Sequence, residues 1–217
     1  MWQRQRRLLA TYWRQATLTR TWQGVDMAEI VLIRHGETEW SKSGQHTGRT
    51  DIPLTRNGRK RAAELEPLLR HRAFGLTLSS PMERARDTAA LAGLKPDGID
   101  NDLVEWDYGA WEGRTTPDIR VELGDPNWVI WDHPIPPGKT PGETTDEVAL
   151  RCHRVIERCL PVLDAGRDCA LVAHGHVLRI LTATWLGLHS DAGRLFMLEA
   201  GALSSLGFER TQPVITG

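Results

Sequence analysis

A three-layer α/β/α fold with a mostly parallel central sheet is predicted by three observations. Short apolar runs such as Ile30-Val31-Leu32-Ile33 and Ala170-Leu171-Val172-Ala173 read as strands buried on both faces. They alternate with longer stretches of helical periodicity, as strand–helix–strand units do. Both runs end in a His-Gly pair, at the strand ends where open sheets bind ligands. With 217 residues, the chain suits one domain carrying a small cap insertion.

Residues 1–26 hold five arginines and one acid, leaving 22 basic against 27 acidic side chains in the rest, a net of −5. This basic, Trp-containing extension reads in three ways: a disordered or weakly helical arm, a basic segment touching an anionic surface, or a stretch ahead of a natural start at Met27. The domain is expected over 27–217.

Glu29 to Arg34 reads as the first strand. Residues 36–53 form a long polar loop with Gly44, Gly48 and Pro53, a length that suggests function. Residues 55–72 read as a helix capped by Thr55, with Ala62, Leu65, Leu68 and Leu69 on its apolar face and Pro67 kinking or shortening it. Leu76-Thr77-Leu78-Ser79 is a second strand, and Pro81 is expected in the first turn of the next helix, which runs to Gly93. Residues 94–104 approach another strand or edge, and 103–113 are an acidic, aromatic, Gly-punctuated loop. Residues 114–142 hold a short helix and a Trp- and Pro-rich stretch, read as the cap folding over the site, with Trp128 and Trp131 at an apolar mouth. Thr144-Thr145-Asp146-Glu147 is a capping box opening a long amphipathic helix, Val148 to Leu163. The strand at 168–173 follows, then a helix through Leu186, then two strands at 195–199 and 202–209.

The composition excludes several classes. A formal charge of −1 gives no call for nucleic acid. No apolar stretch approaches the roughly 20 residues of a membrane span. Three cysteines without a Cys-x-x-C fit a reducing compartment, so a cytoplasmic location is expected. His174 and His176 make a His-x-His without an evident third ligand, so neither a metal nor another cofactor is expected.

The chemistry-bearing residues point to phosphate. Cleaving a phosphomonoester requires neutralised charge, an aligned attack and a protonated leaving oxygen. His35 is the candidate nucleophile: Arg34 beside it favours the neutral imidazole that can attack. Gly36 and Gly175 let backbone approach the phosphate oxygens. Arg84 lies early in a helix whose N-terminus itself favours an anion. His174, placed by strand-end geometry, is a second phosphate contact. Glu105, flanked by Leu103, Val104, Trp106 and Tyr108, is expected to be buried with a raised pKa as the proton handler, with Asp107 competing. Asp102 and Glu112 have no better claim than loop acids. Composition alone would produce Arg-His-Gly in on the order of one in fifty such chains, so its context carries the reading.

Five stretches, in order, resemble the histidine phosphatase superfamily, whose founding type is the cofactor-dependent phosphoglycerate mutase. They are Leu32-Ile33-Arg34-His35-Gly36-Glu37-Thr38-Glu39-Trp40, His46-Thr47-Gly48-Arg49-Thr50-Asp51-Ile52-Pro53-Leu54-Thr55, Ser79-Ser80-Pro81-Met82-Glu83-Arg84-Ala85-Arg86-Asp87-Thr88-Ala89, Glu105-Trp106-Asp107-Tyr108-Gly109 and Ala173-His174-Gly175-His176. The resemblance implies a mutase-like fold without a metal. It also implies phosphorylation of His35, a phosphate pocket of Arg34, Arg84 and His174, Glu105 as proton donor, and substrate contacts from Thr38, Ser41, Thr47 and Gly48. Against the mutase branch, Ser41 stands for its asparagine, Thr116 for its lysine, and Trp128-Val129-Ile130-Trp131-Asp132 lacks its paired arginines. The pattern is closer to the broad-specificity acid phosphatases and sedoheptulose bisphosphatases. A phosphatase of small phosphorylated metabolites is therefore expected, with a mutase and a non-catalytic phospho-ligand module as rivals. Lys42, Arg49, Arg114 and Lys139 are candidates for a second phosphate, and a homo-oligomer is left open.

Overall fold

The computed structural model describes residues 28–217; the readings of residues 1–26 lie outside the described residues. Among the described residues, six strands form one sheet in the order β3-β2-β4-β1-β5-β6. They are β1 (Ile30–Arg34), β2 (Phe74–Ser79), β3 (Gly98–Ile99), β4 (Asp168–Ala173), β5 (Leu203–Glu209) and β6 (Gln212–Ile215). The β3-β2, β2-β4 and β4-β1 pairings are parallel; β1-β5 and β5-β6 are antiparallel.

Strand alternation explains the unbroken apolar runs. Ile30 and Leu32 of β1, with Cys169 and Leu171 of β4, face one core; Val31, Ile33, Ala170 and Val172 face the other. The first core is covered by α6 (Thr145–Asp164) and α7 (Gly175–Trp185). The second is covered by α2 (Arg56–Ala63), α3 (Glu66–Leu69) and α4 (Glu83–Leu91). The small helices α1 (Glu39–Ser43) and α5 (Thr116–Leu123) lie in the two long connections.

Several boundaries differ from expectation. The helix expected at 55–72 is two: α2 ends at Ala63 and Pro67 sits in the first turn of α3, leaving Leu68 exposed. Pro81 precedes α4 rather than entering it, since Met82 is the N-cap. No strand forms at 195–199; a 3₁₀ turn over Ser190–Leu195 leads into extended chain with Leu195 and Met197 exposed. The strand expected at 202–209 is β5, and a tight turn through Arg210, in the left-handed region, returns it as β6. Pro213 is tolerated there because β6 is a sheet edge.

Candidate active site

The site begins where β1 and β4 end side by side. Arg34 pairs with Ala173 in register, and the His35 N–H donates to the Ala173 carbonyl at 2.9 Å. His35 and His174 therefore leave the sheet together, their ring centroids 5.1 Å apart. Beside them β2 ends as the Ser80 N–H donates to the Val172 carbonyl. The cavity over these ends is about 220 Å³, lined by Arg34, His35, Glu105 and Gly175 at the floor and by Ser41, Gly44, Gln45, His46, Thr47, Tyr108, His176 and Arg179 around the mouth.

His35 is buried, and its Nδ1 lies 2.7 Å from the Gly36 carbonyl. A carbonyl only accepts, so Nδ1 carries the proton and Nε2 keeps the lone pair. Burial, then Arg84, then Arg34 hold the ring well below the ordinary histidine range, which keeps it neutral. Arg34 donates to the Leu198 carbonyl at 2.7 Å through Nη1, while its buried Nε has no partner among the described residues. Gly175 gives that guanidinium its space: a Cβ there would stand 3.1 Å from Arg34 Cζ.

Arg84 is fully buried, and each of its five N–H groups has an acceptor. Nε donates to His174 Nδ1 at 3.1 Å, Nη1 to Thr50 O and Asp51 Oδ1, and Nη2 to Thr47 O and Gly48 O. His174 Nδ1 must then accept, so its Nε2–H donates to Ser80 Oγ at 2.7 Å. Burial, Arg84, His35 and Arg34 hold His174 well below the usual range. Arg84 thus acts on the cavity through its charge and through His174; it does not line the cavity. Arg86 is exposed on another face.

Glu105 is buried at the N-terminus of α7. His176 N–H donates to Oε2 at 3.0 Å, and Val177 and Trp106 N–H donate to Oε1 at 2.8 and 2.9 Å. The helix that starts at the β4 strand end thus uses a loop carboxylate, 71 residues earlier, as its cap. Asp107 is committed elsewhere, accepting from Gly109 N–H and Thr140 Oγ1 and facing Arg49. Asp102 pairs with Arg154 and Arg158.

The structure gathers Arg34, His35, Glu105, Ser41, Thr47 and Gly175 at one cavity, with Arg84 and His174 directly behind the floor. Three sequence candidates sit differently. Thr38 is fully buried as the N-cap of α1, exchanging hydrogen bonds with Ser41 in a capping box. Gly36 is needed against protein rather than against ligand: a Cβ would stand 2.5 Å from Gly58 O. Gly48 is clasped between Trp106 and Glu112. Lys42, Arg49, Arg114 and Lys139 are outside the lining, Arg49 pairing with Glu143 and Arg114 with Glu122. Residues 114–142 also contribute nothing to the lining. Trp128 is buried against Trp111 and His133, and Trp131 packs on His176 and under Arg179.

The sequence reading placed Ser41 and Thr47 at the mouth but did not name Gln45, His46, Tyr108, His176 and Arg179 there. Tyr108 Oη and His176 Nδ1 are 2.5 Å apart. Burial raises the Tyr108 phenol well above its usual value and, with Arg179 second, lowers His176; burial alone brings His46 to about 4. Arg179 follows Gly175 by one helical turn, a spacing that flags it for the same face. Among the described residues no group of three or more His, Cys, Asp or Glu is arranged to hold a metal ion, and no helix is long and apolar enough to cross a membrane.

A neutral histidine with an unpartnered Nε2 beside the Arg34 and Arg84 guanidinium groups, on the carboxyl edge of a sheet covered on both faces, makes a cavity suited to a phosphorylated ligand. Residues 30–217 match the histidine phosphatase superfamily (branch 1). The chain is 36% identical over 188 residues to the acid phosphatase of Mycobacterium tuberculosis, covering 86% of this chain and 89% of that protein. It is 38% identical over 188 residues to the sedoheptulose 1,7-bisphosphatase of Saccharomyces cerevisiae, covering 73% and 67%. A solved structure of an open reading frame from Mycobacterium tuberculosis superposes with a TM-score of 0.80 at 35% identity, covering 88% and 96%. The chain belongs to the histidine phosphatase superfamily, and it is a phosphatase of that family.

Proposed function

We propose that the enzyme hydrolyses small phosphomonoesters without a metal, through a phosphohistidine on His35. The observation that carries this is the fixed tautomer: Nδ1–H is tied to Gly36 O, so the lone pair is on Nε2, in a ring that lines the cavity. The Nε2 lone pair attacks phosphorus and the P–O bond to the leaving group breaks. Arg34, with an unpartnered buried N–H, takes the phosphate oxygens, and the Arg84–His174 pair adds positive potential behind them. Glu105 Oε2 accepts only one peptide N–H and keeps a site for a proton, which it gives to the departing oxygen. It then takes a proton from the water that attacks the phosphohistidine; the P–N bond breaks and Nε2 regains its lone pair.

The substrates we infer are sugar phosphates and similar small phosphorylated metabolites. A polar mouth with Ser41, Gln45, His46, Thr47 and Arg179 suits hydroxyl-rich leaving groups, and the relatives named above are an acid phosphatase and a sugar bisphosphatase. The 128–132 stretch offers no cation to the cavity, and its Asp132 is paired with Arg194, which supports release of phosphate over its retention.

Phosphorus NMR with chelator present tests this. A sugar bisphosphate and 3-phosphoglycerate with a trace of bisphosphoglycerate are offered to the wild type and to His35→Ala. Inorganic phosphate from the wild type alone is expected. Conversion of 3- to 2-phosphoglycerate without phosphate release would overturn the reading in favour of a mutase.

A further inference from the structure

Glu112 looks in sequence like one more acid in an acidic loop. In the fold it is half-buried, and its carboxylate faces the loop 47–50 rather than solvent. Both oxygens accept the Gly48 N–H at 3.0 Å, and Oε1 also accepts the Thr50 N–H at 2.9 Å. The other side of this loop holds Arg84: Thr50 O accepts from Nη1 at 2.9 Å, and Gly48 O and Thr47 O accept from Nη2 at 3.1 and 3.3 Å.

One peptide plane joins the two sides. The Gly48 N–H and the Thr47 carbonyl belong to the same rigid trans peptide and point in opposite directions. Holding the N–H on Glu112 therefore aims the carbonyl at Arg84. Only glycine fits at this close approach, because a Cβ on Gly48 would stand 2.6 Å from Trp106 O and 2.8 Å from Glu112 Oε2. Arg84 in turn donates to His174 Nδ1, which sets the His174 tautomer and its bond to Ser80. A carboxylate on one side of the loop and a guanidinium on the other also attract across it.

We propose that Glu112 is a positioning residue for phosphoryl transfer: it locks loop 47–50 so that its carbonyls seat Arg84, and through Arg84 it holds His174. This rests on the reading of the site given above. Without the clasp, the loop carbonyls tilt, the guanidinium loses its fixed fork, and His174 loses its orienting donor.

A double-mutant cycle tests the chain of contacts. Glu112→Gln, Arg84→Lys and the double variant are compared with wild type for kcat and KM on an aryl phosphate, for inhibition by inorganic phosphate, and for Tm. Glu112→Gln keeps one acceptor but places an amide N–H₂ against peptide N–H groups. In the wild-type background it is expected to lower kcat by about tenfold or more, weaken phosphate inhibition similarly, and shift Tm by only a few degrees. In the Arg84→Lys background, where the fork is already absent, the same change is expected to cost less than about threefold. Glu112→Asp, one methylene shorter, should show a smaller loss with the same coupling, and it serves if the glutamine variant does not fold. Equal losses in both backgrounds, or no loss in either, would overturn the proposal while leaving the phosphatase reading standing. A wild type that releases no phosphate from any ester would overturn that reading and this inference with it.

Discussion

At the floor of the cavity and directly behind it, His35, His174 and Arg84 are buried, every ring nitrogen but one has a protein partner, and the three sit just past the ends of β1 and β4 and at the start of α4. At the mouth, Ser41, Gln45 and Thr47 are half-exposed, on the short helix α1 and the loop after it, and His176 and Arg179 sit in the first turns of α7. The one ring nitrogen left at the floor is Nε2 of His35, the atom proposed to attack phosphorus. On the proposed mechanism the contrast separates two tasks: the floor performs transfer on any phosphoryl group, and the mouth sorts what is attached to it.

The largest effect is expected at the floor. His35→Ala should lower turnover at least ~1,000-fold while leaving Tm within a few degrees, and intact-mass analysis of a quenched reaction should show no phosphoenzyme. Turnover near the wild-type rate would end the assignment of the floor. Next, Glu105→Gln should slow alkyl phosphates by on the order of 100-fold and activated aryl phosphates much less, because a good leaving group needs no proton. Equal losses on both would move Glu105 from proton transfer to capping α7. Third, Gly36→Ala should destabilise by about 1–3 kcal/mol in a urea titration, since its methyl meets Gly58 O. A loss of rate without loss of stability would instead return Gly36 to the phosphate.

The pH dependence sharpens the comparison further. In the folded protein His46 titrates at about 4, and His35, His174 and His176 well below the usual 6.5, with burial the first cause in each. The unfolded chain takes up these protons below about pH 6.5. It therefore binds more protons than the folded state in that window, and stability falls as pH drops from 6.5. His46 alone contributes on the order of 3 kcal/mol of that loss by pH 4. Urea midpoints measured between pH 4 and 7 should show it, and His46→Gln should flatten the curve. The acid limb of kcat should also lie below pH 6.5, because His35 stays neutral. The smallest effect is expected from Thr38→Ala: about 1 kcal/mol of stability, from the lost cap, with KM unchanged. A large rise in KM would put Thr38 back among the substrate contacts.

The floor was legible because its signals are local. A strand buried on both faces is a continuous apolar run, and a polar His-Gly directly after it lies at the sheet edge whatever the loops do. Glu105 could be nominated from its apolar neighbours, but its link to the peptides of His176 and Val177 spans 71 and 72 residues. The mouth was legible only at Ser41 and Thr47. Lys42, Arg49, Arg114 and Lys139 were nominated and Arg179 was not, because which cation faces a cavity depends on loop paths. Trp128 failed as a mouth residue for the same reason: its ring found a core, against Trp111.

By itself, the amino-acid order determined the layers, the strand ends and the placing of His35 and Arg34 at one of them, because periodicity and strand termination act over a few residues. Only the tertiary structure decided that Arg84 has all five N–H groups engaged, that Thr38 and Gly36 serve the backbone, and that Glu112 clasps the loop across from Arg84. Those outcomes follow from hydrogen-bond satisfaction in a buried site. Each donor must find an acceptor there, and the acceptors come from segments that meet only when the chain is folded.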